Sequence, residues 1–213
     1  MDDNIKWFYQ TKAKMVMEAL KANRINSSYL ADASQVAGHV LGLIAGQASV
    51  AVGGSMTLTE TGLLEAIRQA DVRFIDRYEP GLGSDETMAR LRAGLDADVF
   101  VSGVNAITED GQLVFVDGNC NRVAGILFGP RKVILVAGCN KICADVTSAI
   151  ERVNNYAAPI NAKRLGRKTP CVKTGVCEDC RSPERICNAT VIIHKQADPQ
   201  RMHVVLVGAD LGY

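Results

Sequence analysis

Apolar residues near the start of the chain recur with a helical period. They are Ile5, Phe8, Tyr9, Met15, Val16, Ala19 and Leu20, with lysines between them. Because an α-helix turns once in about 3.6 residues, this spacing places the apolar side chains on one face. The pattern predicts an amphipathic N-terminal helix over about residues 4–24 that packs against the body of the protein.

Further along, short apolar runs alternate with helical patterns. Strands are predicted at 49–52, 72–75, 99–102, 113–116, 132–137 and 204–207, and helices at 33–45, 57–70, 85–93 and 143–153. Strands separated by helices are joined by crossover connections, so neighbouring strands run parallel and helices cover the sheet. The predicted fold class is therefore α/β, with a Rossmann-like, mostly parallel sheet and helices on both faces. A chain of 213 residues accommodates this as a single domain over residues 1–213.

A segment at about 170–188 has a different composition, with two prolines and few apolar residues. Cys171, Cys177, Cys180 and Cys187 stand in it as a Cys-x5-Cys-x2-Cys-x6-Cys array. The segment cannot build a core, so another interaction must order it. Four thiolates satisfy either one Zn²⁺ ion or a [4Fe–4S] iron–sulfur cluster, and the spacing does not decide between them. We predict a Cys-rich C-terminal extension that binds a metal through these four residues.

A pair of glycines follows the predicted strand 49–52 and precedes a predicted helix. Backbone N–H groups can approach an anion closely at glycine, and nearby hydroxyls add donors. We predict an anion or substrate site formed by Gly53, Gly54, Ser55, Thr57, Thr59 and Glu60. The alternative is an ordinary strand-to-helix turn capped by Ser55 or Thr57. No lysine follows the glycines and no Gly-x-Gly-x-x-Gly occurs, so the sequence has no Walker loop and no nicotinamide or flavin motif.

Polar residues also follow the later predicted strands. They are Asn105, Asn119, Asn121, Arg122, Asn140 and Lys141. Because the carboxyl ends of parallel strands meet at one edge of a sheet, these side chains are predicted to line a pocket there. Arg122 would bind an anion, and Glu109 is a candidate general base or nucleophile. The alternative for the Glu109 region is a plain hairpin turn at Asp110-Gly111.

Charge and hydropathy exclude several classes of partner. Twenty-four Lys and Arg balance 23 Asp and Glu, so the chain has no general attraction for nucleic acids. The longest stretch without a charged residue, 33–59, is interrupted by polar residues, and no membrane contact is expected. The N-terminus is acidic and lacks the pattern of a signal peptide, which predicts a cytoplasmic protein.

Four sequence blocks resemble the LUD domain family, the family of lactate-utilisation protein C. They are GGSMTLTETGL at 53–63, ITEDGQLV at 107–114, VDGNCNRV at 116–123 and FGPRKVI at 128–134. The resemblance implies the Rossmann-like fold of ribose-5-phosphate isomerase, glucosamine-6-phosphate deaminase and CoA transferases. It also implies that residues 53–60 form an anion-binding loop and that Glu109 lies near the position of the catalytic glutamate of CoA transferases.

The resemblance also bears on the partners. LUD proteins belong to lactate-oxidation systems together with iron–sulfur proteins, and the Cys-rich segment resembles a recurrent extension of one branch of short LUD proteins. The first hypothesis is therefore that the protein serves organic-acid metabolism as a subunit or accessory of an electron-transfer system. It would bind a small anionic ligand and have an iron–sulfur or redox protein as its partner.

Two alternatives stay open. One is a stand-alone isomerase or acyl-CoA transferase acting on an anionic substrate through the Gly53 loop and Glu109. The other is a ligand-binding module with a structural Zn²⁺ site. The sequence decides neither whether the chain is an enzyme nor whether it forms a homo-oligomer.

Overall fold

The computed structural model describes residues 1–213 as two β-sheets surrounded by helices. The helices are α1 (Asp3–Ala22), α2 (Val36–Leu43), α3 (Met56–Glu60), α4 (Leu63–Gln69), α5 (Ser84–Ala93), α6 (Asn121–Leu127), α7 (Val146–Arg152), α8 (Ala158–Arg164) and α9 (Pro170–Thr174). The strands are β1 (Asn26–Leu30), β2 (Ser49–Val52), β3 (Arg73–Ile75), β4 (Val99–Gly103), β5 (Ala106–Thr108), β6 (Leu113–Asp117), β7 (Lys132–Gly138), β8 (Ile142–Cys143), β9 (Ala189–Ile193) and β10 (Met202–Val207).

The main sheet has six strands in the order β1-β10-β7-β4-β2-β3, and every neighbouring pair is parallel. Its four inner strands, β10, β7, β4 and β2, are almost wholly buried, as near-continuous apolar runs require. The predicted α/β class with a mostly parallel sheet is therefore confirmed.

Helices pack on both faces of this sheet. Along β7, Ile134 and Val136 belong to the core formed with α2, α3 and α4. Val133 and Leu135 point the other way, into the core formed with α1 and α6. Because side chains alternate across a strand, one apolar strand supplies both cores.

The N-terminal helix α1 buries one face, as its sequence pattern predicts. Ala13, Val16 and Leu20 are buried, and the side chain of Asp2 caps the helix by accepting the Asn4 N–H at 2.9 Å. No helix of the protein combines the length and the apolar character needed to cross a membrane.

The remaining strands form a second sheet in the order β8-β5-β6-β9. The prediction that 113–116 belongs to the main sheet is wrong, because β6 pairs antiparallel with β5 and β9. The turn between β5 and β6 contains Gly111, whose φ is +80°. A Cβ at Gly111 would stand 2.8 Å from the backbone of Ala19 and Leu20, so this hairpin approaches α1 at a distance that only glycine allows.

Two predicted helices have different bounds in the structure. The prediction 57–70 is interrupted at Gly62, whose φ of +67° separates α3 from α4. The helix predicted at 143–153 begins three residues later, at Val146. The helical path then continues through a π-turn at Val153–Ala157 into α8. This longer path carries helical residues to the side of the main sheet where the strands end.

The predicted Cys-rich C-terminal extension is not confirmed as an extension. The segment 170–188 lies between α8 and β9, and β10 follows it in the middle of the main sheet. The segment is therefore an insertion, anchored at both ends. None of its residues is fully buried, which agrees with its lack of apolar side chains.

Candidate functional site

A polar cleft of about 310 Å³ lies at the carboxyl ends of the main-sheet strands. Gly54 and Ser55 follow β2, Asn105 follows β4 and Lys141 follows β7. The opposite wall consists of α8 and residues 183–186 of the Cys-rich segment. The position agrees with the rule that open α/β sheets bind ligands at the carboxyl ends of their strands.

Positively charged side chains predominate in the lining. The basic residues are Arg77, Arg122, Lys141, Arg164, Arg167 and Arg185, and the acidic ones are Asp117 and Glu184. Six cations against two carboxylates leave a formal excess of four positive charges around one cleft. Such a cleft concentrates anions from solution.

Arg122 is fixed at the inner side of the cleft. Its side chain is 12% exposed, and Nη2 donates to Asn105 Oδ1 at 2.7 Å and to the Val116 carbonyl oxygen at 2.8 Å. Its Nε lies 3.7 Å from Asp117 Oδ2. Burial lowers the pKa of the guanidinium from its usual value, and Asp117 opposes that shift. The protein thus holds this cation rigidly and neutralises part of its charge.

Lys141 is buried without a carboxylate in ion-pair contact. The residue is 3% exposed, and Nζ donates to Thr57 Oγ1 at 3.0 Å. Burial, together with the charges of Arg152 and Arg122, lowers the pKa of Lys141 to about 7, against the opposing effect of Glu60. An anion in the cleft would supply the missing negative charge and favour the protonated amine.

Two buried hydroxyl groups near the cleft have no hydrogen-bond partner in the protein, those of Ser102 and Tyr213. The ring of Tyr213 lines the cleft, and burial raises the pKa of its hydroxyl while the neighbouring Arg164 guanidinium opposes that shift. Buried polar groups in native proteins are nearly always satisfied by protein, water or ligand. These two hydroxyl groups therefore mark places behind the cleft where a water molecule or a rearranged side chain would complete the hydrogen bonding.

The two glycines after β2 have different surroundings. A Cβ on Gly53 would stand 2.5 Å from Ser102 Oγ and 2.8 Å from Arg122 Cγ, whereas a Cβ on Gly54 would first meet the mobile end of Arg77 at 3.2 Å. Gly53 therefore permits the close approach of β2 to Arg122, and Gly54 faces the open cleft.

We expect Gly53→Ala to lower the free energy of unfolding by about 1–3 kcal/mol, because Ser102 and Arg122 must move. Gly54→Ala is the matched control and should change it by less than about 0.5 kcal/mol. Urea unfolding of both variants measures the difference. Equal losses in the two variants would contradict this account of Gly53.

The structure brings seven of the residues predicted for the anion site together in the cleft. They are Gly54, Ser55, Asn105, Asn119, Asn121, Arg122 and Lys141. Gly53 and Thr57 lie behind the lining, where Gly53 contacts Arg122 and Thr57 accepts the Lys141 hydrogen bond. The other three lie elsewhere.

Glu60 and Asn140 line a neighbouring, shallower depression next to Gly212. Glu60 Oε2 accepts the Gly212 N–H at 2.6 Å, and Asn140 Oδ1 accepts the Leu211 N–H at 3.2 Å. Thr59 is exposed and its hydroxyl lies 3.4 Å from the Ser55 carbonyl oxygen. The first two contacts hold Leu211 and Gly212 against α3 and against the end of β7.

Glu109 lies outside the cleft lining. It follows β5, its backbone N–H donates to the Cys143 carbonyl oxygen at 2.9 Å, and its carboxylate is paired with Lys12 of α1. The carboxylate is 34% exposed. Its observed contacts connect the second sheet to α1.

Sequence reasoning missed several lining residues. Arg77 lies two residues after the end of β3, so the strand-end signal used for Asn105 could also have identified it. Asp117 ends β6 and pairs with Arg122. Arg185 and Tyr213 reach the cleft only through the tertiary fold, and no local pattern marks them.

The four cysteines predicted as metal ligands all line one cavity next to the cleft. Ala158 and Ala162 of α8 contribute to the same cavity. All seven cysteines of the chain are free thiols. Burial raises the pKa of the Cys187 thiol, while Arg185 opposes the shift. No group of three or more His, Cys, Asp or Glu side chains is arranged so that it could hold one metal ion.

Comparisons with known proteins identify a family and a fold. A model of the LUD domain matches residues 13–207. None of the curated proteins compared with the chain matches it. The crystal structure of a DUF162 family protein from Deinococcus radiodurans is similar at 17% identity and a TM-score of 0.55, over 93% of this chain and 98% of that chain.

Two further similarities are partial. Crystal structures of eIF2B beta from Chaetomium thermophilum and of the tetrameric eIF2B-beta2-delta2 complex from C. thermophilum give TM-scores of 0.37 and 0.42, at 18% and 17% identity. They cover 55% and 81% of this chain, and 44% and 54% of the other chains.

Proposed function

Because this chain belongs to the LUD domain family, we propose that its cleft binds a small organic anion, with a carboxylate or phosphate group, in organic-acid metabolism of the lactate type. The observation that carries the proposal is the surplus of positive charge around the cleft, together with the buried, carboxylate-free amine of Lys141.

The size and the distribution of charge in the cleft support a small ligand. A volume of about 310 Å³ is at the lower end of the range for small-molecule sites. Lys141 and Arg122 are buried, whereas Arg164 and Arg167 are exposed. The charged group of the ligand would lie near the two buried cations, and the exposed arginines would attract it into the cleft.

Ligand-induced stabilisation tests this proposal. We expect lactate, sugar phosphates or CoA esters to raise the Tm of the protein, because a ligand that binds only the folded state stabilises it. Arg77→Gln should lose at least half of the rise, since Arg77 lines the cleft and its side chain hydrogen-bonds to Tyr78 without pairing with a carboxylate.

Arg92→Gln is the matched control, since Arg92 is exposed on α5 and outside the lining. It should retain the full rise in Tm. No stabilisation by any of the three ligand classes, or equal stabilisation of both variants, would overturn the proposed binding site.

The four cysteines favour a further role in an electron-transfer system. Their cavity adjoins the cleft and shares Ala158, Arg185 and Ile186 with it. A metal centre held there, either an iron–sulfur cluster or Zn²⁺, would lie beside the bound anion. We propose that the protein serves as a subunit or accessory of an organic-acid oxidation system, with an iron–sulfur or redox protein as partner.

A binding role agrees better with the geometry than the stand-alone isomerase or acyl-CoA transferase alternative. That alternative needs a carboxylate base facing the Gly53 loop, and Glu109 instead pairs with Lys12 outside the cleft. The only acidic residues in the lining are Asp117, which pairs with Arg122, and Glu184, whose carboxylate accepts the Lys168 N–H at 2.8 Å. Both carboxylates are thus engaged within the protein.

A further inference from the structure

Three cationic side chains, Arg122, Lys141 and Arg152, form a cation cluster around Asn105 at the inner side of the cleft. Arg122 Nη2 donates to Asn105 Oδ1 at 2.7 Å, and Arg152 Nη1 donates to the Asn105 carbonyl oxygen at 3.0 Å. Arg152 Nε also donates at 3.2 Å to the carbonyl oxygen of Asn140, the residue before Lys141. The charges of Arg152 and Arg122 both lower the pKa of Lys141, so the three groups are close enough to repel one another.

The protein compensates only part of the charge of this cluster. Arg122 pairs with Asp117, whose Oδ2 lies 3.7 Å from the Arg122 Nε. Lys141 and Arg152 contact neutral groups instead, because Lys141 donates to a threonine hydroxyl and Arg152 donates to two backbone carbonyl oxygens. Glu60 raises the pKa of Lys141, but its effect is smaller than that of either arginine. The cluster therefore keeps a net positive charge.

The charge left on the cluster matches a ligand group with two negative charges. Arg122 and Lys141 are buried and Arg152 is half-buried, so the interactions among these cations and with an anion are weakly screened by water. Three cations and one paired carboxylate leave two positive charges. A dianion would compensate both, whereas a monoanion would leave one of them, together with the charge of the surrounding arginines, uncompensated.

The space next to Lys141 favours a compact charged group. Gly212 passes over the amine with a φ of +57°, and a Cβ there would stand 2.8 Å from Thr57 Oγ1 and 3.4 Å from Lys141 Nζ. Backbone thus closes one side of the amine, and the cleft is its open side. A phosphate group carries up to two negative charges on three oxygen atoms, whereas two carboxylates spread the same charge over separate carbon atoms. A phosphate group therefore fits the cluster better than a pair of carboxylates.

We propose that the ligand of the cleft is a phosphate monoester, that its dianionic phosphate group binds to Arg122 and Lys141, and that Arg152 sets the preference for two charges over one. Arg122 and Lys141 line the cleft, where they would contact the phosphate oxygens. Arg152 lines the neighbouring depression behind Asn105 and acts as a positioning residue, through its charge and its hydrogen bond to the Asn105 carbonyl oxygen. This inference rests on the proposed anion-binding function and narrows its ligand to phosphate esters.

Two methyl esters of similar shape test the preference for charge. At about pH 7.5, methyl phosphate carries close to two negative charges, whereas methyl sulfate carries one. Calorimetry of the full chain at constant ionic strength should give an affinity at least about fivefold higher for methyl phosphate, because each cation attracts a dianion about twice as strongly. Lactate and malonate, titrated in the same way, represent one carboxylate and two. Both should bind more weakly than methyl phosphate.

The outcomes separate this inference from the function on which it rests. A smaller ratio between the two esters, or tighter binding of lactate or malonate than of methyl phosphate, would overturn the phosphate assignment and leave the anion-binding site in place. Binding of none of the four compounds would overturn both the phosphate assignment and the anion-binding function. Only the expected order of affinities supports both.

Arg152→Gln tests the role of Arg152 with the same two esters. The loss of one positive charge should weaken the binding of methyl phosphate about tenfold and that of methyl sulfate about threefold, because the Coulomb energy is proportional to the charge of the ligand. A cleft that had only lost its shape would weaken both equally. Arg152→Lys keeps the charge and should keep most of the preference. Arg92→Gln is the matched control, since Arg92 is exposed and outside the lining, and it should change neither affinity. Equal losses for both esters in Arg152→Gln, or the same loss of preference in Arg152→Lys, would overturn the role assigned to Arg152.

Discussion

Lys141→Met is expected to stabilise the folded protein by up to about 4 kcal/mol at about pH 6. The native protein at that pH must keep an ammonium group that is 3% exposed and whose side-chain hydrogen bond goes to the neutral hydroxyl of Thr57. Methionine has a similar length and no charge to desolvate. The variant also loses the hydrogen bond to Thr57, which is worth about 1 kcal/mol. The expected gain in stability already allows for this loss.

The sign of the pH dependence follows from the direction of the shift. The pKa of Lys141 is about 7 in the folded protein and 10.5 when the group is solvated. Between these values the unfolded chain binds more protons than the folded chain, so the stability of the parent rises with pH. The advantage of Lys141→Met should therefore be largest below pH 7 and shrink as the pH rises towards 10.5.

Urea unfolding of the parent and the variant at about pH 6 and about pH 9 measures this difference. Lys163→Met is the matched control, because Lys163 is exposed on α8 and should show little change at either pH. The variant should also bind sulfate more weakly than the parent, since the buried positive charge is gone. Destabilisation of Lys141→Met that does not vary with pH would contradict the buried-amine account.

The main sheet was predictable because its inner strands are continuous apolar runs between helical patterns. Runs such as 132–137 identify buried parallel strands directly. The edge strand β1 was missed because Asn26, Ser27 and Ser28 make it polar. The β5–β6 hairpin agrees with the alternative of a turn at Asp110-Gly111. The rest of the second sheet was missed because its pairing is set by contacts distant in sequence, such as β6 with β9.

The cleft was predictable as far as its residues follow strands of the main sheet. Gly54, Asn105 and Lys141 follow strand ends, and topology alone brings them together. Glu109 also follows a strand, but β5 belongs to the second sheet and directs it towards α1. The wall formed by residues 183–186 could not be predicted, because it depends on where an insertion without a core folds back.

Asp117→Ala is expected to lower the free energy of unfolding by about 3–5 kcal/mol, the usual loss when a buried ion pair keeps only one partner. The Asp117 side chain is 10% exposed, and its removal leaves the Arg122 guanidinium buried without a counter-charge. It also removes the acceptor for the Val123 N–H, 3.2 Å from Asp117 Oδ2. Helix α6 depends on that acceptor, because its N-cap residue Cys120 makes no side-chain cap hydrogen bond.

A double-mutant cycle separates the buried charge from the lost cap. Arg122→Met in the Asp117→Ala background should recover at least about 1 kcal/mol, because the uncompensated guanidinium is gone, whereas the helix cap stays unmade. Glu79→Ala is the control for an exposed ion pair, since the Glu79 carboxylate is 53% exposed and lies 2.9 Å from Arg90 Nη2. This variant should lose less than about 1 kcal/mol of unfolding free energy. The two side chains do not interact if the loss of unfolding free energy in the double variant equals the sum of the losses in the two single variants. Asp117 would then stabilise the protein only by capping α6, and the Asp117 charge would not stabilise Arg122.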